Sequence, residues 1–198
     1  SFLAEGSTMR LPPSARVAAA LVLLVTGCPK NPPTTSPSEV RPDEIARIGK
    51  LARILRAADR RIVDDDLHAL LADEDPTVRA RAALALGQIA EPSSIPDLEK
   101  AATDSSDATR ASAAFAMGLI ADPSARATLE QLALDPSPRV RAAAAEALGR
   151  LHDAGGAPAV RALLDDSDMP VRVAAALCAW KFAEPEPFLD ALLTNLTA

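Results

Sequence analysis

Two histidines, two cysteines and a run of aspartates are the residues of this chain whose types could do chemistry. His68 and His152 each stand alone, without a second ligand at the short helical or turn spacing that zinc and related metals need. Both read as surface or helix-end side chains. A thiol becomes a nucleophile or metal ligand when neighbours lower its pKa. Cys178 sits instead in an alanine-rich stretch and reads as a buried small apolar side chain. Asp64, Asp65 and Asp66 could attract a cation, but carboxylates directly before Leu67 suit a helix N-terminus, where they accept unsatisfied backbone N–H groups. Gly155-Gly156 lacks the spacing of a phosphate loop. No catalytic residue, metal site, cofactor or small-molecule substrate is expected from these residues, and the chain reads as a non-enzyme.

The most regular chemistry is a charged ladder. Arg79, Arg110, Arg141 and Arg172 recur every 31 residues, and each follows an aspartate six positions earlier: Asp73, Asp104, Asp135 and Asp166. Guanidinium and carboxylate at a fixed step read as an Asp to Arg hydrogen-bond network tying the turns of adjacent units. This is a stabilising device rather than a ligand site.

The elements that must position this ladder share its period. Val78 to Gly87 matches Val140 to Gly149 at twice the step, and the step also links Gly87, Gly118 and Gly149, and Leu67, Leu98, Leu129 and Val160. Within a unit, Leu67, Leu70 and Leu71 carry a helical spacing of apolar residues, and Asp75-Pro76 makes a turn with proline suited to a first helical position. A longer alanine-rich helix then runs to Ile89. Glu91-Pro92, Asp122-Pro123 and Glu184-Pro185 stop one helix and begin the next connection. A short helix, a turn and a longer helix stacked at constant step make an all-α solenoid. Upstream, Pro42-Asp43-Glu44 opens an amphipathic helix with Ile45, Ile48, Leu51, Ala52 and Leu55 on one face, departing from the repeat motif as a capping helix would.

The phrase Asp-x-x-Val-Arg-x-x-Ala-Ala-x-Ala-Leu-Gly, whole from Asp75 to Gly87, resembles HEAT repeats, and in particular the short HEAT-like repeats first associated with phycobilin lyases. The likeness implies helix pairs stacked in a solenoid, with second helices lining the concave face. It implies no activity, because fold does not fix function. Neither a bilin ligand nor lyase activity carries over with it.

Recurring alanines such as Ala82, Ala113, Ala144 and Ala175 belong to the core. The positions that vary between units fall on another stripe of the second helix, which presents Leu84, Phe115, Leu119 and Leu177 flanked by Arg81, Glu146, Arg150 and Lys181. An apolar centre with a charged rim suits a protein or peptide partner. For Leu84 and Phe115 the alternative is that they fill space between helices, and the two readings stand level.

Composition narrows the function classes. Hydrophobic residues are 48% of the chain but aromatics only 3%, with no tyrosine, which favours an Ala/Leu/Val core of close-packed helices over a β-sandwich. With 21 basic and 27 acidic side chains the net charge is −6, which argues against general nucleic-acid binding. Met9, Arg10 and Arg16 precede an apolar run from Val17 to Val25, too short to span a bilayer and laid out like a signal peptide. The ending Val25-Thr26-Gly27-Cys28 resembles the lipobox of bacterial lipoproteins, which implies acylation at Cys28; the alternative is an ordinary secretory signal. Pro29 to Ser38 reads as a polyproline tether.

The expected organisation is an extension at 1–8, a signal at 9–27, a tether at 28–42, a capping helix and linker at 43–63, and the solenoid at 64–198. The resulting expectation is an envelope scaffold, lipid-anchored and facing the periplasm, with Pro29 after the cysteine favouring the outer membrane. Trp180 replaces the recurring glycine, and Phe188 opens a further first helix; either these form an improvised cap, or the chain is the client-binding part of a longer prolyl isomerase or lyase-like chaperone.

Overall fold

A computed structural model describes residues 41–179 and 182, and among them every regular element is helical. Cys28, Trp180, Lys181 and the last first helix, on which several expectations rest, lie outside the described residues. Helix α1 spans Pro42–Arg60. Repeat units follow as α2 (Asp65–Ala69) with α3 (Pro76–Ile89), α4 (Ile95–Ala101) with α5 (Asp107–Ile120), and α6 (Arg126–Leu132) with α7 (Pro138–Leu151). The last described pair is α8 (Ala157–Ala162) with α9 (Met169–Ala179). Contacts divide the chain into two units that meet at Lys50 and Leu51, inside α1. In the first, the described residues are mostly exposed, Ile45 among them at 57%. The second contains the repeats.

Local sequence explains where the second helices begin and end. Asp75 is extended and its carboxylate accepts the Thr77 N–H at 2.8 Å, while Pro76 occupies the first turn, where a missing N–H costs nothing. Ala90, Ala121 and His152 end their helices at φ of 63°, 56° and 50°, the left-handed conformation that turns the chain away. His152 is thus an exposed helix-end residue. At α2, Asp64 accepts the Leu67 N–H at 2.8 Å, so one of the three adjacent aspartates serves the helix start.

Packing follows the 31-residue step. Leu67, Leu98, Leu129 and Val160 of the first helices are buried to 1% exposure or less, as are Val78, Val140 and Val171 of the second. Consecutive second helices pack tightly on each other, whereas consecutive first helices meet only weakly. The tight side depends on glycine. A Cβ added to Gly87, Gly118 or Gly149 would stand 2.5 Å from Ala116 Cα, 2.7 Å from Ala147 Cα and 2.6 Å from Cys178 Cβ respectively. Cys178 is buried at 6% exposure in the alanine slot of this seam.

Helix α1 divides its apolar face. Ile45 and Leu55 are each 57% exposed, while Leu51 of the same face packs on the core beside the buried Ile54 and Ala57. Both stripes have helical spacing, and the one that meets the first repeat is inside.

Candidate functional site

The ladder is a chain of bidentate bridges that ties the turns of adjacent units, and the structure adds which carboxylate each arginine holds. Arg79 Nε and Nη2 donate to Asp104 Oδ2 and Oδ1 at 2.6 and 2.8 Å, so the paired carboxylate belongs to the next unit, 25 residues on. Arg110 holds Asp135 at 2.7 and 2.9 Å, and Arg141 holds Asp166 at 2.7 and 2.8 Å. The aspartate six residues earlier contributes its main-chain carbonyl instead. Asp73, Asp104, Asp135 and Asp166 accept there from Nη1 of Arg79, Arg110, Arg141 and Arg172 at 2.8–2.9 Å. Each carboxylate also accepts the N–H two residues on, from Asp75, Ser106, Ser137 or Asp168. One aspartate therefore shapes its own turn and, from the second unit onward, clamps the preceding unit. Planar guanidinium suits this two-pronged geometry.

These contacts set an acid limit. The Arg79 guanidinium and, more weakly, the Ser106 amide hold the Asp104 carboxyl below its ordinary range against the opposing effect of burial. For Asp135 burial pushes upward and is outweighed by Arg110 and the Ser137 amide. Asp166 is held down by Arg141. A carboxylate whose folded-state pKa lies below its unfolded value of about 3.9 adds stability that is complete above about pH 5. That stability is lost as the pH falls through 4 into the depressed folded-state range. Urea midpoints measured against pH are expected to be flat near neutrality and to drop below about pH 4, with a shallower drop when Arg110 is replaced by methionine.

The variable stripe forms a groove on the second-helix face with a volume of about 560 Å³. Leu84 of α3, Phe115 of α5, Ala143 of α7 and the prolines Pro138 and Pro170 give it an apolar lining, and Arg139, Glu146 and Asp168 supply charge. Arg150 lies over the Phe115 ring, 4.5 Å from its centroid, with Nη2 3.9 Å from Glu146 Oε2. The ring face thereby takes a guanidinium whose Nη1 is buried without a hydrogen-bond acceptor among the described residues, an arrangement that cation–π attraction stabilises. Leu84, Phe115, Glu146 and Arg150 are thus brought together. Arg81 is exposed one turn before Leu84, and neither it nor Arg139 forms an ion pair among the described residues. Leu119 and Leu177, 36% and 60% exposed, do not line the groove.

Ala111, Pro138, Ala142 and Asp168 also line it, and the stripe pattern missed them. They lie at or near the N-terminal ends of the second helices, beside the turns, so a groove running diagonally over the stack reaches them while a single-helix spacing rule does not.

Two other places were candidates for chemistry. His68 Nδ1 lies 2.8 Å from Asp97 Oδ2, joining α2 to α4 rather than facing solvent alone. A depression of about 840 Å³ near α6 and α8 is lined by Leu134, 83% exposed, but its carboxylates are already paired, Asp135 and Asp166 in the ladder and Glu130 with Arg126 at 3.6 Å. Among the described residues, no three His, Cys, Asp or Glu side chains converge as a metal ion would need.

Comparison with known proteins bears on both fold and activity. A family model described as HEAT repeats matches residues 41–114 and 101–180. No curated protein matches the chain by sequence. The solved complex of CpcE and CpcF of phycocyanin lyase from Nostoc matches in structure with a TM-score of 0.63 and 22% identity, covering 87% of this chain and 74% of that one. The Escherichia coli protein YibA matches with a TM-score of 0.57 and 21% identity, covering 91% of this chain and 63% of its own length. At these identities the likeness establishes the fold. It also overturns the expectation of a non-enzyme, because that expectation rested on the lack of a local catalytic motif. The same repeat architecture is built into a lyase complex, so a missing motif within the repeats is no argument against enzymatic work.

Proposed function

The chain belongs to the HEAT-repeat family, and on that premise we propose that it is a protein-binding solenoid whose second-helix groove takes an apolar segment carrying acidic side chains. The observation that supports this most directly is the composition of the groove. Its apolar floor is built from positions that vary between units, and Arg81 and Arg139 lie exposed at that face without ion pairs among the described residues. Apolar centre and charged rim are the anatomy of a protein interface. The resemblance of Val25-Thr26-Gly27-Cys28 to a lipobox adds a lipid anchor at Cys28 and a place in the bacterial envelope. No helix among the described residues is long and apolar enough to cross a membrane, and an acylated cysteine needs none.

The test is capture in cells by a photo-crosslinking residue placed at Arg139, with and without Phe115→Asp in the same chain. Phe115 is half-buried under Arg150, so Phe115→Asp is expected to abolish the crosslinked species at a cost of about 1–2 kcal/mol in stability, which leaves the chain folded. Unfolding would assign Phe115 to the core and sink the groove reading. The anchor is checked separately by the intact mass of the native protein extracted from membranes: a product beginning at Cys28 with acyl chains supports it, and an unacylated one refutes it.

The likeness to phycocyanin lyase favours a second reading of the same groove, in which the bound protein is a client held for modification. A crosslinked partner that is released with a covalent change would select it.

A further inference from the structure

Charge is distributed unevenly along the sequence. Residues 41–62 carry seven basic and three acidic side chains, whereas residues 63–198 carry eleven and twenty-two. Such asymmetry is a signature of binding to a polyanion or a charged surface. The structure shows which cations are spare. Arg79, Arg110, Arg126, Arg141 and Arg150 all pair with carboxylates. Arg53, Arg56 and Arg60 of α1 are exposed and form no ion pair among the described residues. They follow one another at i, i+3 and i+7, spanning about 10 Å of helix axis on one side, and with Ile62, 50% exposed, they line a shallow pocket of about 250 Å³. Two carboxylates border it: Asp64, whose oxygen accepts the Leu67 N–H, and Asp66 in the first turn of α2.

We propose that this arginine ridge is a docking surface for an anionic phospholipid bilayer, with Arg53, Arg56 and Arg60 taking lipid phosphates and Ile62 entering the headgroup boundary. Guanidinium meets phosphate two-pronged, and an apolar side chain among cations is the pattern of an interfacial contact. The surplus of acidic side chains in the remaining repeats is repelled by the same surface, so the membrane is met at the arginine ridge. A second copy of the chain is the weaker match, because most of the aspartates it would offer are occupied in the ladder and in turn capping. The surface stands without the Cys28 anchor.

The test is flotation of the full, unacylated chain with two vesicle types, pure phosphatidylcholine and phosphatidylcholine doped with phosphatidylglycerol. The apolar run 17–25 contributes to both, so the difference between them isolates the charge-dependent part. Binding to the doped vesicles is expected to exceed that to the neutral ones and to fall as salt is raised. R53Q/R56Q/R60Q is expected to weaken the charge-dependent part on the order of 100-fold, because each cation contributes about fivefold. R53K/R56K/R60K keeps the charge and loses the two-pronged contacts, so it should bind between the parent and R53Q/R56Q/R60Q, which together with unchanged helicity separates charge from misfolding. Equal binding to both vesicle types, or an unaffected R53Q/R56Q/R60Q variant, overturns the proposal. So does equally tight binding of single-stranded DNA, or a charge-dependent dimer without vesicle binding.

Discussion

Gly118→Ala is expected to destabilise the protein by about 2–3 kcal/mol and Gly118→Val by more than about 4, read as shifts of the urea midpoint. The direction is the diagnostic part. At an ordinary helical site alanine is preferred over glycine by about 1 kcal/mol. At Gly118 the added Cβ would meet Ala147 Cα at 2.7 Å and its Cβ at 2.8 Å, so helices α5 and α7 must separate and open the layer that lines the groove. Ala147→Gly removes only one of the two obstacles and is expected to restore less than half of the loss. Gly49 is the control, since nothing stands within 4 Å of a Cβ built there. Gly49→Ala should stabilise by about 0.5–1 kcal/mol. A stabilising Gly118→Ala would mean that the seam is looser than its geometry.

The second large effect is expected in the ladder. Arg110 and Asp135 have side chains only 15% and 7% exposed, so removing one leaves the other charged, largely desolvated and without its main partner. Arg110→Met is expected to cost about 3 kcal/mol, including its bonds to the Asp104 and Ser105 carbonyls. Asp135→Asn keeps an oxygen for the Ser137 N–H and should cost about 2 kcal/mol. The double variant is expected to lose little more than Arg110→Met alone, giving a coupling of roughly 2 kcal/mol. Losses that simply add would reduce these contacts to independent surface charges worth a few tenths each.

The ladder also shows where sequence reading runs out. The step of 31 identified every member and its role between adjacent turns, but not how the contacts divide: six residues back the arginine meets that turn's carbonyl, while its forked end takes the carboxylate across the unit boundary. The groove behaves similarly. Leu84, Phe115, Glu146 and Arg150 were legible as varying positions on a helical stripe, but Pro138 and Asp168 join them through a diagonal path over three unit boundaries.

What the sequence determined by itself is what local physics controls: helices bounded by Asp-Pro and Glu-Pro turns, an alanine-rich helix that only close packing can use, and a period that forces each unit to bury its apolar face on the next. Tertiary structure decided the rest. Helix α1 carries two overlapping apolar stripes of the same spacing, and the choice of Ile54 and Ala57 over Leu55 was made by contact with the first repeat. Gly87, Gly118 and Gly149 are visibly recurrent in sequence, but the reason is the close approach of the residue 29 positions on, its Cα for Gly87 and Gly118 and the Cys178 Cβ for Gly149. Periodicity fixes which residues share a face, and only the approach of one element to another fixes which face is covered and by what.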